Sequence, residues 1–104
     1  MKPVEFAPAA RAELDAAAAD YEREREGLGA TFYSAVERTV RLIATFPTVG
    51  PPYPGIASEL HVRRRVVRGF PFVLAYRDLG ELLRIDAVAH ARRRPGYWVN
   101  RVPK

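Results

Sequence analysis

The sequence has no cysteine, two histidines, one methionine and one tryptophan. Without thiols there can be no disulfide and no thiolate metal site, and two histidines are too few for a structural zinc site. No metal and no cofactor is therefore expected. Long apolar runs are missing too: no stretch approaches the roughly 20 residues that a membrane-spanning helix needs, and the N-terminus lacks the basic-then-apolar layout of a signal peptide. These absences point to a cytoplasmic protein with no membrane partner, whose fold stands on packing. Acidic residues are scarce in only one place. Residues 1–60 carry 6 Lys and Arg against 9 Asp and Glu, a net −3, whereas residues 61–104 carry 11 against 3, a net +8. Such a one-sided field favours a polyanionic or acidic partner; the plainer alternative is a solvated basic face.

What is present suits one domain over 1–104, because 104 residues with 48% hydrophobic and 28% charged side chains supply a single core. Lys2 to Phe6 alternates as a short strand. Pro8 suits the first turn of a helix, where its missing N–H is no loss, and Ala9 to Arg25 continues with Leu14, Ala17, Ala18 and Tyr21 on one stripe. Gly27 and Gly29 bracket Leu28 and break it. A second helix follows, with Leu28, Phe32, Val36, Val40 (or Thr39), Ile43 and Phe46 at steps of three and four, until Pro47. Glu37 and Arg41 form a favourable i,i+4 pair on its exposed face. Residues 47–59, with four prolines and two glycines, read as an ordered, irregular connector.

Three strands are predicted after it: His61 to Val67, Phe70 to Arg77 and, past the hairpin turn Asp78-Leu79-Gly80, Leu82 to His90. Pro71 cannot donate to a ladder, so it marks an edge or a bulge. The nearly apolar last strand belongs in the centre of the sheet. The expected fold is α+β, in the order β-α-α-β-β-β. A helical hairpin packs on one face of a small, mainly antiparallel sheet, and the other face stays open for arginines. Alternation puts Phe70, Phe72, Leu74 and Tyr76 on one side of their strand, and Leu83, Ile85, Ala87 and Ala89 on one side of the next. It also puts Arg63 and Arg65 opposite Val62, Arg64 and Val66, so the arginine triplet is split between faces.

The order of these elements, with the phrases VEFAPAARAELDAAAADYE, GLGATFYSAVE, RLIATFP, RRRVVRGFPFVLAYR and IDAVAHARRRPGYW, resembles the RelE/ParE superfamily of type II toxin–antitoxin toxins. The resemblance covers essentially the whole chain. It implies a growth-inhibiting toxin neutralised by a cognate, acidic antitoxin protein. The target is either DNA gyrase, as for ParE-like members, or mRNA on the ribosome, as for RelE-like endonucleases. An inactive toxin-like binding module is the third possibility.

Cleaving RNA through its 2′-hydroxyl requires a base, a cation over the scissile phosphate and a proton for the leaving oxygen, with no metal needed. His90, Arg93 and Tyr97 are the candidates for that chemistry. Arg63, Arg65, Arg92, Arg93, Arg94 and Trp98 are the candidates for binding nucleic acid or another target. Each has a plainer reading: His90 as a hydrogen-bonded strand-end histidine, the arginines as a solvated turn, and Tyr97 and Trp98 as a cap on the core. In RelE-type nucleases the strand after the turn opens with glycine, an aromatic residue and an active-site arginine. Here Gly69-Phe70-Pro71-Phe72 contains no arginine. That departure and the closing His90-x-x-Arg93 phrase favour the ParE-like branch.

Overall fold

Proline and glycine punctuate the chain where the backbone has to change direction. The computed structural model describes residues 1–103. Strand β1 (Val4–Phe6) leads into helix α1 (Pro8–Glu24), which is followed by helix α2 (Leu28–Thr45) and strands β2 (Arg63–Val67), β3 (Phe72–Asp78) and β4 (Leu83–His90). This is the expected element order. The break between the helices uses its two glycines differently. Gly27 adopts φ of 88°, and a Cβ on Gly29 would come within 2.7 Å of the Ala18 carbonyl, so only glycine lets α1 and α2 approach this closely. The Glu22 carboxylate accepts the Gly27 and Gly29 N–H groups, each at 3.0 Å, and so satisfies donors at the start of α2. At the far end, Pro47 disfavours helical geometry at Phe46. Phe46 is 60% exposed and does not join the buried stripe expected of it, while Thr39, not Val40, takes the buried position.

The sheet order is β1-β4-β3-β2, with β1 parallel to β4 and the other pairs antiparallel. β4 is central, as its apolar character required. The helical hairpin covers one face, where Tyr21, Phe32, Phe70 and Phe72 form a cluster whose ring centroids lie 5.0–6.1 Å apart. Phe32, Ile43, Val67, Leu74, Tyr76, Leu83 and Ile85 are fully buried there. The Tyr76 hydroxyl is satisfied inside the core: it donates to the Pro47 carbonyl at 2.7 Å and accepts the Gly50 N–H at 3.0 Å.

Strict alternation fails once, at Asp86. Ala75 pairs with Ala87 and Tyr76 with Ile85, so Asp86 is an extra residue in a β-bulge. Leu83 and Ile85 face the helices as expected, but beyond the bulge Val88 takes that side. Ala87 and Ala89 turn to the opposite face, contrary to their predicted grouping with Leu83 and Ile85.

The second face is not open either. Tyr53, Ile56 and Leu60 of the connector and Tyr97, Trp98 and Val102 of the C-terminal segment cover it, over Val62, Ala75, Ala87 and Ala89. The apolar surface that the bulge rotates there has to be shielded from water, and the chain uses its two irregular segments for the purpose. Tyr53 also extends the sheet locally, since its N–H donates to the Val62 carbonyl at 2.8 Å and the Arg64 N–H donates to the Pro51 carbonyl at 3.0 Å.

Candidate functional site

Past His90 the chain turns back over the second face and brings the basic run Arg92–Arg94 beside Tyr97 and Trp98. Trp98 is 1% exposed, and its ring packs edge-on against Tyr53 at 5.0 Å. Expected among the target-binding residues, it is instead a core residue of the covered face. Its indole N–H is the one buried side-chain donor or acceptor without a partner among the described residues.

Tyr97 is half-buried, and its hydroxyl donates to Glu13 Oε2. Burial, together with this bond to a carboxylate, pushes the Tyr97 hydroxyl well above its ordinary pKa of 10.0. The same carboxylate accepts two bonds from Arg101, at 2.9 and 3.1 Å, and the Val88 N–H at 3.0 Å. The position is explained by β1, which ends at Phe6 and leaves the edge of β4 away from β3 without a strand partner beyond Ile85. α1 crosses at this gap, and Glu13 fills it. Its carboxylate thereby ties helix, sheet edge and C-terminal segment together, and the Arg101 pKa is raised chiefly by the Glu13 bond.

His90 does not join this group. The bulge moves it to the helix side of the sheet, where it pairs with Phe72 and its ring stands edge-on to that side chain at 5.1 Å. Its Nδ1 accepts the Arg92 N–H at 3.0 Å. His90, Arg93 and Tyr97 border one cavity, but two of the three are committed to other partners. Arg93 stacks its guanidinium 3.8 Å from the Tyr97 ring centre, the Tyr97 hydroxyl is tied to Glu13, and the His90 ring faces the aromatic core.

The arginine triplet is split as predicted, with its members on faces that reverse the expected role. Arg63 and Arg65 pair with Tyr76 and Leu74, whose side chains face the helices, and Arg63 Nη1 donates to the Gly50 carbonyl at 2.8 Å. Arg64, opposite Ala75, is the member that shares a face with Arg93 and Arg94, its guanidinium 5.6 Å from the Tyr53 ring centre. Arg92, Arg93 and Arg94 are exposed. Among the described residues, Arg63, Arg64, Arg65, Arg68, Arg92, Arg93 and Arg94 make no ion pair with a carboxylate.

Other C-terminal cations are neutralised. Asp86, fully buried at the bulge, receives Arg77 in a two-pronged pair at 2.7 and 2.9 Å, and this bond raises the Arg77 pKa. Arg84 reaches Glu5 on β1 at 2.6 Å. Sequence reasoning missed Glu13, Asp86 and Arg101 as organising residues. A signal existed for Glu13: it lies three residues after Ala10 and four before Ala17, on the buried stripe of α1, where a carboxylate needs partners.

The fold is shared with a chain of a solved toxin–antitoxin structure. A chain of the "Chromosomal ParDE TA system from P. aeruginosa" superposes with a TM-score of 0.63 at 21% identity, covering 88% of this chain and 98% of that one. At that identity the likeness is one of fold. The sequence profile described as "ParE toxin of type II toxin-antitoxin system, parDE" matches residues 4–95, and the chain belongs to this family. No curated protein sequence matches it.

Proposed function

We propose that this single domain is the toxin of a ParDE-type module, that it inhibits DNA gyrase in the cytoplasm by binding it, and that a cognate acidic antitoxin neutralises it. The observation that carries the reading is that two of the three candidate catalytic groups, though they border one cavity, are committed to other partners. A 2′-hydroxyl attack needs base, cation and acid converging on one phosphate. Here the His90 ring and the Tyr97 hydroxyl are committed to Phe72 and Glu13 on separate sides of the sheet edge, and Pro71 stands where an RNA-cleaving relative has arginine. Poisoning an enzyme by binding needs no proton-transfer group, only a surface. The arginines that have no carboxylate partner among the described residues offer one.

The test uses purified protein. Inhibited gyrase supercoiling with ribosome-bound mRNA left intact is the expected result, together with growth arrest on expression that is relieved by the adjacent antitoxin gene. Cleaved mRNA, with activity lost in Arg93→Ala or Tyr97→Ala, would reassign the chain to the ribosome-dependent endonucleases. No effect on either target, and no growth arrest, would leave a toxin-like binding module.

A further inference from the structure

The basic C-terminal segment and the connector enclose a cavity of about 140 Å³ on the second face, bordered by Tyr53, Arg64, Arg93, Arg94, Tyr97 and Trp98. Its three arginines come from two separate parts of the chain, and none has a carboxylate partner among the described residues. Arg64 and Arg93 are not loose surface cations, because each lies over a tyrosine ring. Stacking leaves the in-plane N–H groups of a guanidinium free to donate, the geometry that matches a carboxylate with two parallel bonds. The site is thus a preorganised anion receptor with a small volume.

We infer that this pocket receives an aspartate or glutamate side chain from an extended acidic segment of a partner protein. The inference rests on the toxin–antitoxin reading for the supplier of that segment, the antitoxin. Charge complementarity alone would admit a nucleic-acid phosphate. The aromatic rings decide against it: single-stranded nucleic acid is held by bases stacking on open aromatic faces, and here none is open. Arg93 covers Tyr97, Arg64 and the Trp98 edge occupy Tyr53, and Trp98 itself is 1% exposed. The surroundings suit a peptide. A groove bordered by Pro51, Pro52 and Val66 adjoins the pocket through Pro54 and Arg64, and Val66 is 54% exposed. An extended peptide with an acidic and an aliphatic residue two positions apart can place a carboxylate among the arginines and an aliphatic side chain on Val66.

Trp98 is the only tryptophan in the chain and borders the pocket, so its emission reports occupancy. The full-length protein is titrated at low salt with a peptide of roughly ten residues in which glutamate and valine take turns at every second position, with serine between them, with its glutamine counterpart, and with a uridine oligonucleotide of similar length. The glutamate peptide should shift Trp98 emission and bind about tenfold or more tighter than the glutamine peptide. Arg94→Gln, which removes an exposed side chain, should weaken the glutamate peptide by a similar factor. Arg38→Gln, an equal loss of charge on α2, should change it by less than about twofold. Arg64→Gln gives an independent check from the other side of the pocket.

Equal binding of the two peptides, no Trp98 response, equal losses from Arg94→Gln and Arg38→Gln, or tighter binding of the oligonucleotide with the same Trp98 response would each overturn the proposal. None of these outcomes depends on growth arrest or gyrase inhibition. A protein that proves non-toxic can still pass, and a proven toxin can still fail.

Discussion

The two faces of the sheet are both buried, but they are held by different physics. On the helix side, apolar and aromatic side chains interlock across α1, α2 and three strands, with ring contacts at 5.0–6.1 Å. On the other side a thin cover of irregular chain lies over small residues and is held by a few polar ties: Glu13 to Tyr97 and Arg101, and Arg101 to the Asp86 carbonyl. Packing of the first kind is spread over many contacts, and losing one weakens the whole domain. Ties of the second kind are few and local. A surface built that way can be rearranged by a partner without unfolding the protein, and it is also the surface on which Arg64, Arg93 and Arg94 have no carboxylate partner among the described residues.

The comparison predicts an order of effects. Phe32→Ala removes a fully buried ring from the helix-side cluster and should cost about 4 kcal/mol, read as a lower midpoint in denaturant unfolding with uniformly faster amide exchange. Asp86→Ala leaves the nearly buried Arg77 guanidinium without its partner, and a loss of about 3 kcal/mol is expected in the same measurement. Glu13→Gln keeps the shape but weakens the bonds to Tyr97 and Arg101, for about 1–2 kcal/mol. Its signature is local: amide exchange should accelerate across residues 97–102 and not in β3. Acceleration of equal size in both places would break the distinction between the faces.

The smallest effect is a pH dependence. The Tyr97 pKa is raised above 10.0 in the folded chain, so the folded state holds its proton where the unfolded chain releases it. That contribution is present in full below about pH 10 and is lost as pH rises towards the folded value. Unfolding midpoints should therefore fall as pH rises above about pH 10, and Tyr97→Phe should flatten part of the fall. Tyr21 and Tyr76, raised mainly by burial, and Tyr33, raised chiefly by its bond to Asp15, contribute in the same direction. An unchanged slope in Tyr97→Phe would mean that the Glu13 tie does not hold in solution.

Sequence alone determined the order of elements, the helical hairpin with its glycine break, the central position of β4 and the concentration of positive charge after residue 60. Each of these follows from local rules: periodicity, turn chemistry and charge counting act within a few residues of one another. It also split the arginine triplet correctly, because alternation holds throughout β2. Only the tertiary structure decided which face each arginine joined, where His90 points and that the second face is covered. One inserted residue, Asp86, inverts the side-chain pattern for the rest of β4, and no local signal marks it. Glu13 and Arg101 meet across 88 positions, a distance at which only the packed chain brings opposite charges together. The basic C-terminal segment was legible as composition. Its geometry, with Trp98 inside, Tyr97 tied to Glu13 and three arginines around a small pocket, comes from the bulge and the apolar surface that it obliges the chain to cover.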